Sequence, residues 1–428
     1  MNIINLINNQ NNIPADIWNI IKKYLYFEIN DTNIKIAVKM WKENKNTALN
    51  LYGHISYWET SLVTNMSNLF LCFFDFNDNI KDWNVANVEN MESMFTASKF
   101  NQDISNWNVS NVKNMKDMFN GSKFNQPIGN WNVSNVENME GVFYCAKFFN
   151  QDINNWTVDN VKNMKSMFNQ ASQFNQPIGN WNVGNVENMG EMFYRSKLFN
   201  QDISNWNVKK VKNMEDMFSE TSSFNQPIGN WDVRNVISMN RMFLHAESFN
   251  QSINNWNACN VKFMSYMFGY AISFNQEINN WNIKNVIYMD HMFIKASSFN
   301  QPINNWDVSV VYNMRGMFEG ASSFNQPINN WDVSAVYDMR GMFEGAISFN
   351  QPLNNWNVSN VRNMANMFKK ASSFNQPLNN WNVGNVNDME AMFKKASSFY
   401  QPLNNWNVSN VKNFKNVSKK IKNLVTTQ

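Results

Sequence analysis

His54, His245 and His291 are the side chains best suited to holding a metal or passing a proton near neutral pH, and Cys72, Cys145 and Cys259 are the potential thiol nucleophiles. Their spacing assigns them neither task. The histidines are scattered, form no HExxH pattern and have no cysteine at ligand spacing; the cysteines form no CxxC pair. Asp75 and Asp78, in DFNDNIKD, resemble the start of a calcium loop but lack its glycine and its closing bidentate glutamate, so the stretch reads as a polar turn. Asp232, Asp307 and Asp332 stand singly among asparagines and form no acid–base pair. No GxGxxG or GxxxxGK(S/T) motif is present. These residues predict no catalysis, no cofactor and no metal. One basic set remains: Lys209, Lys210, Arg234 and Lys284. Whether it forms a patch depends on the elements that position it.

A tandem repeat does the positioning. Tryptophan recurs at Trp58, Trp83, Trp107, Trp131 and Trp156, then every 25 residues to Trp406, giving fifteen copies. Residues 299–323 and 324–348 differ at only three places, where Val310, Asn313 and Ser322 become Ala335, Asp338 and Ile347. Each unit reads I-x-x-W-x-V-x-x-V-x-x-M-x-x-M-F-x-x-A-x-x-F-N-Q, as in Ile178, Trp181, Val183, Val186, Met189, Met192, Phe193 and Phe199. The W-x-V stretch alternates with period two and predicts a short strand; the three- and four-residue spacing after it predicts a helical or 3₁₀ turn. No unit can cover its own apolar residues, so each must pack on the next, Trp on Trp, Met on Met and Phe on Phe. Methionine at such regular positions reads as core filling rather than a metal site. Parallel strands about 4.8 Å apart would make fifteen rungs on the order of 70 Å long. Two short intervals, Phe95 to Phe100 and Phe119 to Phe124, have lost a residue between the phenylalanines, which places a turn there.

Columns of the repeat carry the remaining signals. Glu89, Lys113, Glu137, Lys162, Glu187 and Lys212 occupy one column and predict alternating charge along the surface, each exposed pair contributing ~0–1 kcal/mol. On the outward side of the expected strands, Lys209, Arg234 and Lys284 share a column, with Lys210 beside them. They predict either a solvated face or a docking patch for an acidic partner. Overall charge excludes less: 36 Lys+Arg against 33 Asp+Glu exerts no general pull toward nucleic acid or anionic membrane. The abundant asparagine reads as coding bias, interrupted everywhere by apolar residues. Odd, dispersed cysteines fit a reducing compartment. The start MNIINLINNQNN shows no basic region followed by an apolar run, and no stretch reaches membrane-spanning length, so no signal peptide and no membrane span are expected. Sequons such as Asn108-Val109-Ser110 should then stay unmodified.

The pattern W-x-V-S-N-V-x-x-M-x-x-M-F-x-x-A-x-x-F-N-Q resembles the BspA-like leucine-rich repeat in its mycoplasma-type form, over about Ile34 to Val417. The resemblance implies an α/β-type repeat solenoid: a leucine-rich-repeat-like stack of short parallel strands, with helical or 3₁₀ turns on the convex side and partners bound on the concave one. The organisation expected is a helical N-terminal segment over residues 1–33, a lead-in over 34–57, repeats over 58–411 and a basic helical cap over 412–428. The segment IPADIWNIIKKYL resembles the opening of an F-box, with Ile13, Pro14, Ile17, Ile21 and Leu25 as its docking face and Trp41, in VKMWKE, as its later tryptophan. The bland alternative is a helical cap. The F-box resemblance implies binding to the Skp-type linker of a cullin ubiquitin ligase, with the solenoid choosing the substrate. An asparagine-rich chain with this pair of segments resembles those of giant viruses or protists. The expectation is thus a monomeric, non-enzymatic, intracellular protein-interaction solenoid, in host cytoplasm if viral. The contrasting expectation, implied by the BspA-like resemblance, is a cell-surface or virion structural protein of the adhesin type.

Overall fold

Backbone amides lock the rungs together in the stretch that follows the second valine of each unit. In the computed structural model, which describes residues 27–416, Asn65, Asn90, Asn114, Asn138 and Asn163 form consecutive parallel bridges, and the series runs unbroken to Asp388 and Asn413. Around each bridge alternate amides have alternate uses. Met164, Ser166, Phe168 and Gln170 donate to the carbonyls of Asn188, Gly190, Met192 and Tyr194 one rung on, at 2.6–3.0 Å. Met167, Asn169 and Ala171 donate within their own rung, to Met164, Ser166 and Phe168 at 3.0–3.2 Å. Every buried amide of this stretch is thereby used.

The expected strand and helical turn are both corrected by this arrangement. W-x-V buries Trp181 and Val183 and exposes Asn182, as a strand would, but carries no bridge. The stretch expected to be helical is a chain of β-turns that also bears the inter-rung ladder. Three- and four-residue apolar spacing fits both, since Met164, Met167, Phe168 and Ala171 all point inward. A helix would spend its amides internally; here they aim along the stack. The third residue of two turns per rung has positive φ, as at Ser166 (56°) and Gln170 (58°), a conformation costing roughly 1–2 kcal/mol without glycine. Gly316 and Gly320 occupy it in one later rung without that penalty.

Side-chain stacking follows the expectation. Trp181 and Trp206 lie 6.5 Å apart and 2° from parallel. Phe168 stacks on Phe174 at 3.9 Å within its rung and on Phe193 at 5.7 Å in the next. From Trp83 onward each indole N–H reaches back one rung to an isoleucine or leucine carbonyl, Trp181 to Ile153 and Trp206 to Ile178, both at 3.1 Å. The core is one continuous column of Trp, Phe, Met, Val and Ile from Ile29 to Trp406. The tolerated deletion is a turn, as expected: 25-residue rungs close it with Phe174 N–H to the Ala171 carbonyl, and the short ones with the hydroxyls of Ser98 and Ser122, which accept from the amides of Phe100 and Phe124 at 3.3 Å.

The lead-in is helical. Helices α1 (Ile34–Glu43) and α2 (Lys45–Tyr52) precede a 3₁₀ turn at Ile55–Tyr57. Asn44 ends α1 and caps α2 by accepting from the Thr47 amide. Ile34, Ala37, Val38 and Trp41 cover the first rung. Asp31 substitutes for the rung that is missing below: its Oδ1 accepts from the amides of Thr64 and Asn65, at 2.9 and 3.0 Å, where a later rung finds a backbone carbonyl. At the other end, Lys412 and Asn413 still donate to Asn387 and the chain turns at 415–416. The first residues of the expected helical cap are therefore another rung; the rest of that cap, from 417, lies outside the described residues.

Candidate interaction surface

The repeat leaves outward two columns beside the bridge and one turn before it. Among the described residues no group of three or more His, Cys, Asp or Glu could hold a metal. Burial pushes the Cys145 thiol up, away from thiolate reactivity, and lowers the His291 imidazole, which stacks on Tyr266 at 4.6 Å. His291 lines a hollow of about 260 Å³ with Arg315, Glu319, Arg340 and Glu344. Burial, with Glu344 nearby, raises the Glu319 carboxyl, and Glu344 is tied to Lys369 at 2.9 Å. These groups hold no nucleophile beside a base.

The basic set lies on the turn before the bridge rather than on a strand. Val208 and Val211 close that turn around Lys209 and Lys210. Lys209, Lys210, Arg234 and Lys284 are all exposed. Their freedom differs. Arg234 grips Asp232 through two bonds of 2.8 and 2.7 Å, which holds the Asp232 carboxyl below its usual range. Lys210 reaches the neutral Asn185 Oδ1 at 2.6 Å. Lys209 and Lys284 make no ion pair among the described residues.

The charge column behaves as its spacing predicts. Lys113, Lys162 and Lys212 each reach back one rung, to Glu89, Glu137 and Glu187, at 2.9, 2.6 and 2.7 Å. Hydrogen bonds from Lys162 and Lys212 hold the Glu137 and Glu187 carboxyls low. Further along, the same column becomes Ile237, Lys262, Ile287, Tyr312 and Tyr337. The next column, asparagine through Asn213, becomes Phe263 and Tyr288. Sequence reasoning missed this change; following the Glu/Lys column past Lys212 would have found it.

Trp41 does not lie on a docking face. It is 2% exposed, meets Trp58 edge-on at 6.1 Å, and donates its indole N–H to Asp78 at 2.9 Å, with Lys45 over its ring at 4.3 Å. It stands at the end of the tryptophan stack. Ile13, Pro14, Ile17, Ile21 and Leu25 lie outside the described residues.

Rungs locked by parallel bridges and stacked side chains define a tandem-repeat solenoid. A family model described as "Mycoplasma protein of unknown function, DUF285" matches residues 37–148, 120–227, 217–331 and 313–427, and the chain belongs to that family. No curated protein matches it. Among solved structures it is similar to the functional domain of InlJ from Listeria monocytogenes, which includes a cysteine ladder: identity is 7%, the match covers 77% of this chain and 69% of that one, and the TM-score is 0.22. A likeness that slight carries no argument, and the solenoid is read from this chain's own rungs. Among the described residues no helix is long and apolar enough to cross a membrane.

Proposed function

We infer that the chain is a non-enzymatic protein-interaction solenoid: a stiff ladder that holds outward side chains at fixed spacing for a partner. One observation carries this reading. Inward columns repeat the same residues from rung to rung, whereas the outward columns beside the bridge change from paired charge to unpaired cations and apolar groups. Solenoids bind through such extended surfaces. Lys209 and Lys284 would meet acidic groups of the partner, and Arg234, already satisfied by Asp232, would contribute less.

In the finer form of the proposal the chain is intracellular and adapts a substrate to a cullin ubiquitin ligase. Ile13, Pro14, Ile17, Ile21 and Leu25 would dock the Skp-type linker, while Trp41 would serve only to cap the first rung. The test uses the full chain. Recombinant Skp-type linker should bind at micromolar concentration, and Ile17→Asp with Leu25→Asp should abolish that binding. Crosslinked capture from cells should fall with Lys209→Glu plus Lys284→Glu and change little with Arg234→Glu. Failure of the linker to bind removes the ligase role. Capture that ignores all these changes, or no capture at all, removes the interaction reading.

A further inference from the structure

Side chains in the two columns beside the bridge contribute nothing to the bridge itself, which is made by amides and carbonyls whatever residue stands there. From Glu89 to Lys212 those columns hold paired charges and asparagines. Across the next five rungs six of the ten positions become Ile, Phe or Tyr, with Ser238, Lys262, Asn313 and Asp338 among them. Ile237, Tyr312 and Tyr337 are 42%, 45% and 43% exposed. Phe263 stacks on Tyr288 at 5.9 Å and Tyr312 on Tyr337 at 5.3 Å, so the rings form surface ladders of their own. Val310 and Ala335 replace the asparagines that in most rungs bond back one rung, as Asn285 does to Cys259, and this widens the strip. Five rungs at roughly 4.8 Å make it on the order of 20 Å long, about six residues of extended chain.

The charge at the Lys210–Lys284 end of the strip is positive, and the one acid in its two columns, Asp338, stands at the other end. A groove of about 490 Å³ is lined by Lys210, Lys212, Ile237 and Lys262, and the single acid in its lining, Glu187, is occupied by Lys212. Lys262 and Lys284 make no ion pair among the described residues. At the far end the Asp338 carboxylate accepts from the Arg340 amide. Exposed apolar residues beside unneutralised cations fit a ligand that brings both carboxylates and apolar side chains. A second copy of this chain laid parallel on the strip would face lysine with lysine, and a helix of roughly 10–12 Å diameter would overhang a strip two columns wide.

We propose that the strip from Ile237 to Tyr337, with Lys210 and Lys262, is the docking site for an acidic polypeptide segment that lies extended along the ladder with apolar side chains between its carboxylates. This rests on the interaction reading above and names its site and partner class. The probe is a fluorescent peptide of about a dozen residues repeating Asp-Asp-Leu-Leu, so that each face of the extended chain carries both residue types, set against Lys/Leu and Asp/Ser counterparts, with anisotropy as the readout on the full chain. Only the Asp/Leu peptide should bind. Tyr312→Ser with Tyr337→Ser should weaken it about tenfold or more, and Lys210→Gln with Lys262→Gln should weaken it and flatten its salt dependence. Phe148→Ser with Leu198→Ser, which removes exposed apolar groups elsewhere, should change nothing. Unaltered circular dichroism and melting establish that each variant is folded.

Several results overturn the assignment: no binding of the Asp/Leu peptide at about 1 mM, equal binding of the Asp/Ser peptide, or equal loss in the Phe148/Leu198 control. A dimer on sedimentation that Tyr312→Ser with Tyr337→Ser dissolves would also overturn it, by showing a second copy on the strip. If the peptide fails while cellular capture persists, the strip assignment falls and the interaction reading stands. If both fail, both fall.

Discussion

Asparagine shows how much one residue type can do when it recurs in register. Asn200 Oδ1 accepts from the Asn225 amide and the Gln226 side chain, both at 2.9 Å, while the Asn200 amide donates to Asn175. A second series donates instead, as Asn185 does to the Asp159 carbonyl at 2.7 Å. A third closes local turns, as Asn163 does by accepting from the Lys165 amide. Composition alone suggests coding bias; the structure gives these columns work that codon usage does not explain. The partners lie 25 residues apart, so no local motif announces them, and only the fixed column does. Asn200→Leu should cost about 1–2 kcal/mol, because the half-buried Asn225 amide loses its acceptor. Asn200→Asp keeps an acceptor and should cost much less. Urea unfolding of the two variants checks the difference, and equal costs would mean that side-chain size matters there and the bond does not.

At the scale of the element, spacing made the core legible and left the backbone path ambiguous. Trp181, Val183, Met189 and Phe193 are buried as their periodicity predicts. Helix and turn chain could not be separated, because both bring every third or fourth residue inward, and because positive φ falls on residues such as Glu191 and Arg195 that do not advertise it. The aromatic strip was legible only by column, since Ile237 and Tyr312 lie in stretches that look like ordinary rung variation. Ends pose a separate problem, because the first rung has no carbonyls below it. Asp31 supplies the acceptor. Burial tends to raise its carboxyl, but the Thr64 hydroxyl, the Thr64 and Asn65 amides and Lys35 together hold it below the usual value. A carboxyl depressed in the fold adds stability above its unfolded pKa of about 3.9, and that contribution is lost as pH falls through the folded value. Asp31→Ala should therefore raise hydrogen exchange at the Thr64 and Asn65 amides, by about 1 kcal/mol of local stability near pH 6. The gap from wild type should close as pH falls below the ordinary carboxylate range and Asp31 becomes protonated. A gap independent of pH would show that the charge on Asp31 is irrelevant to the cap.

For the whole molecule, stability is a sum over near-identical interfaces, and this makes length and parity act differently. Excising residues 324–348 joins Ser323 to Phe349 and restores the same neighbours: Phe318 meets Phe368 as it met Phe343, and Asn313 can bridge Asn363 as it bridged Asp338. Only one interface is lost, so the shortened chain should fold with a denaturant slope lower by about one fifteenth and a slightly lower midpoint. Deleting Gly316 alone is a smaller change in mass and a larger one in structure. Gly316 donates to Arg340 and Phe318 to Met342, while Met317 between them donates inside the rung to Met314. Removing one residue exchanges the two kinds of amide from there to the next turn. It turns Met317 and Phe318 off the core and strands ladder amides against apolar neighbours, at about 1–3 kcal/mol for each amide left unpaired. A deletion of one residue at Gly316 should thus destabilise the chain far more than the loss of twenty-five, with hydrogen exchange rising across the rungs around Met317. The same single deletion at Ser322, combined with Ala321→Ser, recreates the short rungs closed by Ser98 and Ser122 and should be borne with little loss. If the Gly316 deletion melts no earlier than the 324–348 excision, alternation of amides along the rung is not what holds the stack in register.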